Sequence, residues 1–133
     1  MFNSLVEAKR FMEEKHIQMV DFMMIDLNGR WRHLTILADR FTEDTFKSGI
    51  GFDGSNYGFA PVEKSDMVFI PDLSTAYVDP FMEIPTLAMI GDVYVIDVPN
   101  NRPFDQDPRN VAKHAEEYLK KTGIADEMRV GPE

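Results

Sequence analysis

A chain of 133 residues, 44% hydrophobic and 28% charged, is long enough to bury one domain core and carry a short continuation. Its net charge of −9 and pI of 4.7 argue against a nonspecific binder of nucleic acid or of anionic membrane, since either needs a basic face. Cysteine is absent, which removes disulfides, thiolate metal sites and thiol nucleophiles; no run is apolar enough to span a membrane, and the start is too charged for a signal peptide, so the chain reads as cytoplasmic.

Ser4 and Glu7 form a capping box, and Leu5, Ala8, Phe11 and Met12 recur at helical spacing while Lys9, Arg10, Glu13 and Glu14 face out. The pattern predicts an amphipathic first helix whose apolar stripe joins the core. Two apolar runs follow, Gln18 to Asp26 and Trp31 to Ala38, with Asn28-Gly29 between them. That dipeptide predicts a β-hairpin closed by a type I′ turn, whose two central positions need positive φ. His33 has no acidic or histidine partner at metal-ligand spacing and reads as structural or solvent-facing; His16 and His114 are no different.

Phe41 to Ser48 reads as a short helix with Thr42 as N-cap and Gly49 past its end. From Gly49 to Asp72 no clear helical or strand period is visible, and a connection this long is either functional or disordered. Phe52, Tyr57, Phe59, Val68, Phe69 and Ile70 supply enough apolar surface for order, so an ordered, function-bearing loop is expected. Glycines 49, 51, 54 and 58 let Asp53-Gly54-Ser55-Asn56 turn sharply and project short polar side chains toward a small cation or polar ligand. The same tetrapeptide also suits a plain Asx-turn, with Asp53 bonded to its own backbone.

Beyond the loop, Met67 to Pro71 and Leu73 to Val78 read as short extended segments, and Asp79-Pro80 as a break. Thr86 to Ile90 and Val93 to Val98 bracket Gly91-Asp92, which predicts a second hairpin. Together these elements predict an α+β domain on a mixed sheet over residues 1–100. Pro99 to Pro103 is a linker by composition, and residues 101–133 are expected to begin a second, incomplete domain. In it Asp107 and Pro108 open a helix, Gly123 closes it, and Val111, Ala112, Ala115, Tyr118 and Leu119 form its apolar stripe. Glu116 and Lys120 pair on its solvated face, and Met128 to Glu133 are expected to start a strand that has nothing to pair with inside this chain. With no Walker loop, no dinucleotide fingerprint and no carboxylate-histidine cluster for two metals, the chain is not expected to catalyse a reaction unaided.

One longer pattern is more specific. Asp53-Gly54-Ser55, an aromatic and glycine-bearing loop, Ser65-Asp66-Met67 and an apolar run closed by Pro71-Asp72 resemble the N-terminal signature of glutamine synthetase. Gly91-Asp92-Val93-Tyr94 resembles the strand after that signature, Asp107-Pro108-Arg109 the opening of the first catalytic-domain helix, and Gly131-Pro132-Glu133 the first metal-binding strand. The resemblance implies a β-grasp N-terminal domain followed by the start of a catalytic domain, in a truncated fragment. It also implies the full-length activity: ATP-dependent ligation of ammonia to glutamate, with Mg²⁺ or Mn²⁺, giving glutamine, ADP and phosphate. In that family the N-terminal domain walls the active site of a neighbouring subunit in a homo-oligomeric ring.

By the resemblance Asp53 binds ammonium and promotes loss of its proton, Asp66 supports it electrostatically, and Ser55 and Asn56 complete the ammonium loop. Glu133 would be a metal ligand in the complete enzyme; neither ATP nor metal is expected on the fragment itself. Two departures stand out. Asn56 occupies the place of a usual second serine, and the loop from Asp53 to Ser65 is one residue shorter than in common bacterial members. Both bear on amine choice, which keeps a ligase for a larger amine open beside ammonia ligation, together with a catalytically silent regulatory relative and a β-grasp module that binds a protein partner.

Overall fold

The computed structural model describes residues 2–97 and 99–132. Helix α1 (Leu5–Glu14) starts where Ser4 Oγ accepts the Glu7 N–H at 3.2 Å. Glu7 reaches one residue further back than a reciprocal capping box requires, accepting the N–H of Asn3 at 2.9 Å. Ala8 and Met12 on its inner face are buried, as the spacing predicts.

Strands β1 (Met19–Ile25) and β2 (Trp31–Leu37) form the expected hairpin, with Met19 opposite Leu37 and Ile25 opposite Trp31. Its turn is not type I′. The Asp26 N–H bonds the Arg30 carbonyl at 2.9 Å, the Gly29 N–H bonds the Asp26 carbonyl at 2.9 Å, and within the turn Gly29 alone takes a positive φ, +76°. This is a three-residue loop, and the buried Asp26 carboxylate dictates it by accepting the N–H of Asn28, the N–H of Arg30 and Nε of Arg32, each at 2.9 Å.

Helix α2 (Glu43–Ser48) is capped by Thr42 and stops at Gly49, φ +79°. The stretch after it is more regular than its sequence suggests. Strand β3 (Ile50–Asp53) lies antiparallel to β4 (Asp66–Pro71), with two short 3₁₀ turns, Gly54–Tyr57 and Val62–Lys64, between them. Ile50 and Phe52 do alternate inward against Gly51 and Asp53, but four residues are too few for a period to stand out.

A short strand β5 (Tyr77–Val78) leads to β6 (Thr86–Val95), which replaces the predicted second hairpin by one continuous ten-residue strand. Its first half runs parallel to β1, from Met19 opposite Thr86 to Met23 opposite Ile90. Its second half runs antiparallel to β4, from Pro71 opposite Gly91 to Met67 opposite Val95. Gly91 is therefore no turn residue: a β-carbon on it would overlap the Ile70 carbonyl and the Phe69 ring, so glycine is required for close approach. With β7 (Arg102–Pro103) also paired to β6, the path across the sheet is β2-β1-β6-β4-β3, a mixed sheet in an α+β fold.

Phe22, Phe41, Phe69, Leu87, Met89 and Val93 are fully enclosed, and the Phe22 ring centre lies 5.9 Å from Phe41 and 5.5 Å from Phe69. Helix α3 (Pro108–Thr122) opens on Asp107 and ends at Gly123, φ +69°. Asn110 Nδ2 fastens its first turn to β6 by donating to the Val93 carbonyl at 3.0 Å. Val111 and Tyr118 on its apolar stripe are exposed. Residues 128–132 form no strand, since a strand exists only against a partner edge and the segment has none among the described residues.

Candidate functional site

Asp53 is the last residue of β3 and Asp66 the first of β4, and the two stand directly opposite each other in the ladder. Thirteen positions apart in sequence, they meet because the Gly54 N–H donates to the Ser65 carbonyl at 2.7 Å and shuts the base of the intervening loop. Gly54 is buried there, and a β-carbon on it would press to 2.6 Å from Met67 Sδ.

Asp53 Oδ1 accepts the Ser55 N–H at 2.9 Å and the Ser55 hydroxyl at 2.6 Å. The Ser55 hydroxyl first, then the neighbouring Ser65 hydroxyl and the Ser55 N–H, hold the Asp53 carboxyl below its ordinary range and keep it ionised. Ser65 has one hydroxyl proton and points it at the Val62 carbonyl at 2.9 Å, which leaves Ser55 as the firmer donor. The Asx-turn is present: Oδ1 is committed to Ser55, while the residue as a whole remains exposed. Asp66 and Asn56 are exposed as well, and Ser55 is half-buried. The arrangement can attract a small cation and accept hydrogen bonds from it.

Beneath the turn lies an aromatic floor. Phe52 is 5.6 Å from Tyr57 between ring centres, and Phe59 is 6.3 Å from each of them and 5.7 Å from Phe104. Sequence reading also missed a partner of His33. The buried carboxylate of Asp21 in β1 meets His33 Nδ1 at 2.9 Å and accepts the Thr35 hydroxyl at 2.5 Å, so the histidine does have an acid beside it, across the hairpin. The signal was the lone acid in an otherwise apolar strand, readable only with the right register.

A second ionic cluster lies away from the turn. Arg109 bridges Asp92, at 3.0 Å from Nε, and Asp72, at 2.9 Å from Nη2, and Lys113 also pairs with Asp92. Burial works against ionisation of Asp72, but the Ser74 hydroxyl and N–H together with Arg109 outweigh it and draw its pKa down. Among the described residues no three carboxylates or imidazoles converge as a metal site, and Glu133 lies outside the described residues.

The family model for the glutamine synthetase β-grasp domain matches residues 16–96. The chain belongs to the glutamine synthetase family. It is 40% identical over its whole length to the 3-hydroxylaminophenol mutase of Cupriavidus pinatubonensis and 41% identical over its whole length to the glutamine synthetase of Frankia alni. It spans 28% of the length of each of these two relatives. In fold it is similar to Plasmodium falciparum glutamine synthetase, with a TM-score of 0.78 and 24% identity over 94% of this chain and 24% of that one. Asp53, Ser55, Asn56 and Asp66 all fall inside the stretch matched to the glutamine synthetase β-grasp domain, whereas α3 and Glu133 lie beyond it.

Proposed function

We propose that the chain is the N-terminal part of a glutamate-ammonia ligase, residues 1–100 forming its β-grasp domain and 101–133 opening the catalytic domain. In the full-length cytoplasmic enzyme, ATP would phosphorylate glutamate in the presence of Mg²⁺ or Mn²⁺, with Glu133 among the metal ligands, and ammonia would displace phosphate to give glutamine. The β-grasp domain contributes the ammonium-binding wall of a neighbouring subunit's site in a homo-oligomeric ring. Asp53 receives ammonium and takes up its proton, Asp66 adds to the local negative field, and Ser55 and Asn56 shape the turn.

The observation that carries this reading is the opposition of two exposed carboxylates, Asp53 and Asp66, at the open end of one ladder. Converting Asp53 to Ala in the full-length protein should sharply reduce ammonia-dependent glutamine formation while leaving glutamate and ATP binding in place. Unchanged turnover at low ammonium would reject it. Exposed Asn56, whose amide both donates and accepts, favours one second reading, ligation of a larger amine; a higher kcat/KM for a primary alkylamine than for ammonium would establish that instead.

A further inference from the structure

We propose that Tyr57 is a positioning residue that sets where the Asp53 turn stands relative to the rest of the domain, and so sets the affinity for ammonium. This rests on the ammonium-binding reading of that turn. Tyr57 ends the 3₁₀ turn that follows Asp53, and its hydroxyl donates to the backbone carbonyl of His33 at 3.2 Å. His33 belongs to β2, at one edge of the sheet, while Asp53 closes β3 at the other.

The remaining hydrogen bonds of residues 54–64 stay within the segment from Asp53 to Ser65, the Ser55 N–H and hydroxyl going back to Asp53. The Gly54 N–H goes to Ser65, the Phe59 N–H to Gly54, the Gly58 N–H to Ser55 and the Lys64 N–H to Pro61. Among the described residues the Tyr57 hydroxyl thus makes the one hydrogen bond that ties this segment to a strand other than β3 and β4, which flank it. An edge strand carries carbonyls that no ladder uses, and Tyr57 occupies one of them. The acceptor is itself well held: His33 lies opposite Met23 in the β1–β2 ladder, and its ring is bonded to buried Asp21.

The Tyr57 ring rests on Phe52 and Phe59, so removing the hydroxyl alone leaves the apolar packing intact and frees only the turn's tilt. A small cation bound by charge and short hydrogen bonds feels that tilt directly; glutamate and ATP, bound elsewhere, do not.

The test is Tyr57→Phe in the full-length protein, assayed for glutamine formation beside Asp53→Ala. The KM for ammonium should rise about three- to tenfold, the range for one neutral hydrogen bond, with the KM for glutamate, the KM for ATP and the Tm unchanged. An unaltered ammonium KM overturns the proposal, as does a parallel rise of all three KM values with a lower Tm, which would mark a general structural role. If Asp53→Ala itself leaves ammonium use untouched, the site reading fails and Tyr57 falls with it. If Asp53→Ala impairs ammonium use and Tyr57→Phe changes nothing, only the positioning role is lost.

Discussion

The buried carboxylate of Asp107 accepts the backbone N–H of Val93 in β6 at 2.9 Å and, through its other oxygen, the N–H of Arg109 at 3.1 Å. One side chain therefore caps α3 and satisfies a strand donor that would otherwise be orphaned. Asp107→Ala removes both and should cost about 2–4 kcal/mol, adding a lost cap to an unpaired buried N–H, as read by urea unfolding. Asp107→Asn keeps an acceptor and should cost less. Burial raises the Asp107 pKa above its ordinary 3.8, against the opposing N–H groups of Val93 and Arg109. The stability linked to it is complete below 3.8 and lost as pH rises through the folded value, so the Asn variant should lag wild type more at pH 4 than at pH 7.

Asp26 has the opposite sign. The Arg30 N–H lowers its pKa most; burial opposes this, and Arg32 and the Asn28 N–H reinforce the lowering. Its contribution is present above the ordinary 3.8 and disappears as pH falls through the lower folded value. Asp26→Asn should thus show its largest Tm deficit near neutrality, and the deficit should shrink as thermal unfolding is repeated at successively lower pH below 3.8.

Two glycines separate close approach from backbone conformation. Gly91→Ala forces a methyl into the Ile70 carbonyl and the Phe69 ring at the middle of the sheet and should cost about 3 kcal/mol or more. Gly29→Ala meets nothing within 4 Å but must hold φ at +76°, for about 1–2 kcal/mol. Chemical denaturation of both variants should rank them in that order.

What the sequence discloses is whatever short-range chemistry decides. Ser4, Thr42, Asp107 with Pro108, and Gly123 mark helix ends because a cap acts within one turn, and all four are where the sequence places them. Gly91-Asp92 misleads because its composition suits a turn, while the reason for the glycine is the backbone of β4, remote in sequence. The hairpin turn misleads more subtly. A type I′ turn at Asn28-Gly29 would set Asp21 opposite Ile36, whereas the three-residue loop sets it opposite Thr35. That slip of one residue hides the Asp21, His33 and Thr35 cluster. Asp53 and Asp66 are legible individually, from the motif around each, but their opposition is a property of the ladder.

The pairing of β1 with β6 has a consequence for synthesis. About sixty residues separate the end of β1 from the start of β6, so on the ribosome the inner edge of the first hairpin waits roughly 3–12 s for its neighbour at common elongation rates. During that interval the Met19–Met23 edge of β1 has no ladder partner on that side, so the nascent chain, unlike the finished sheet, presents an open strand edge.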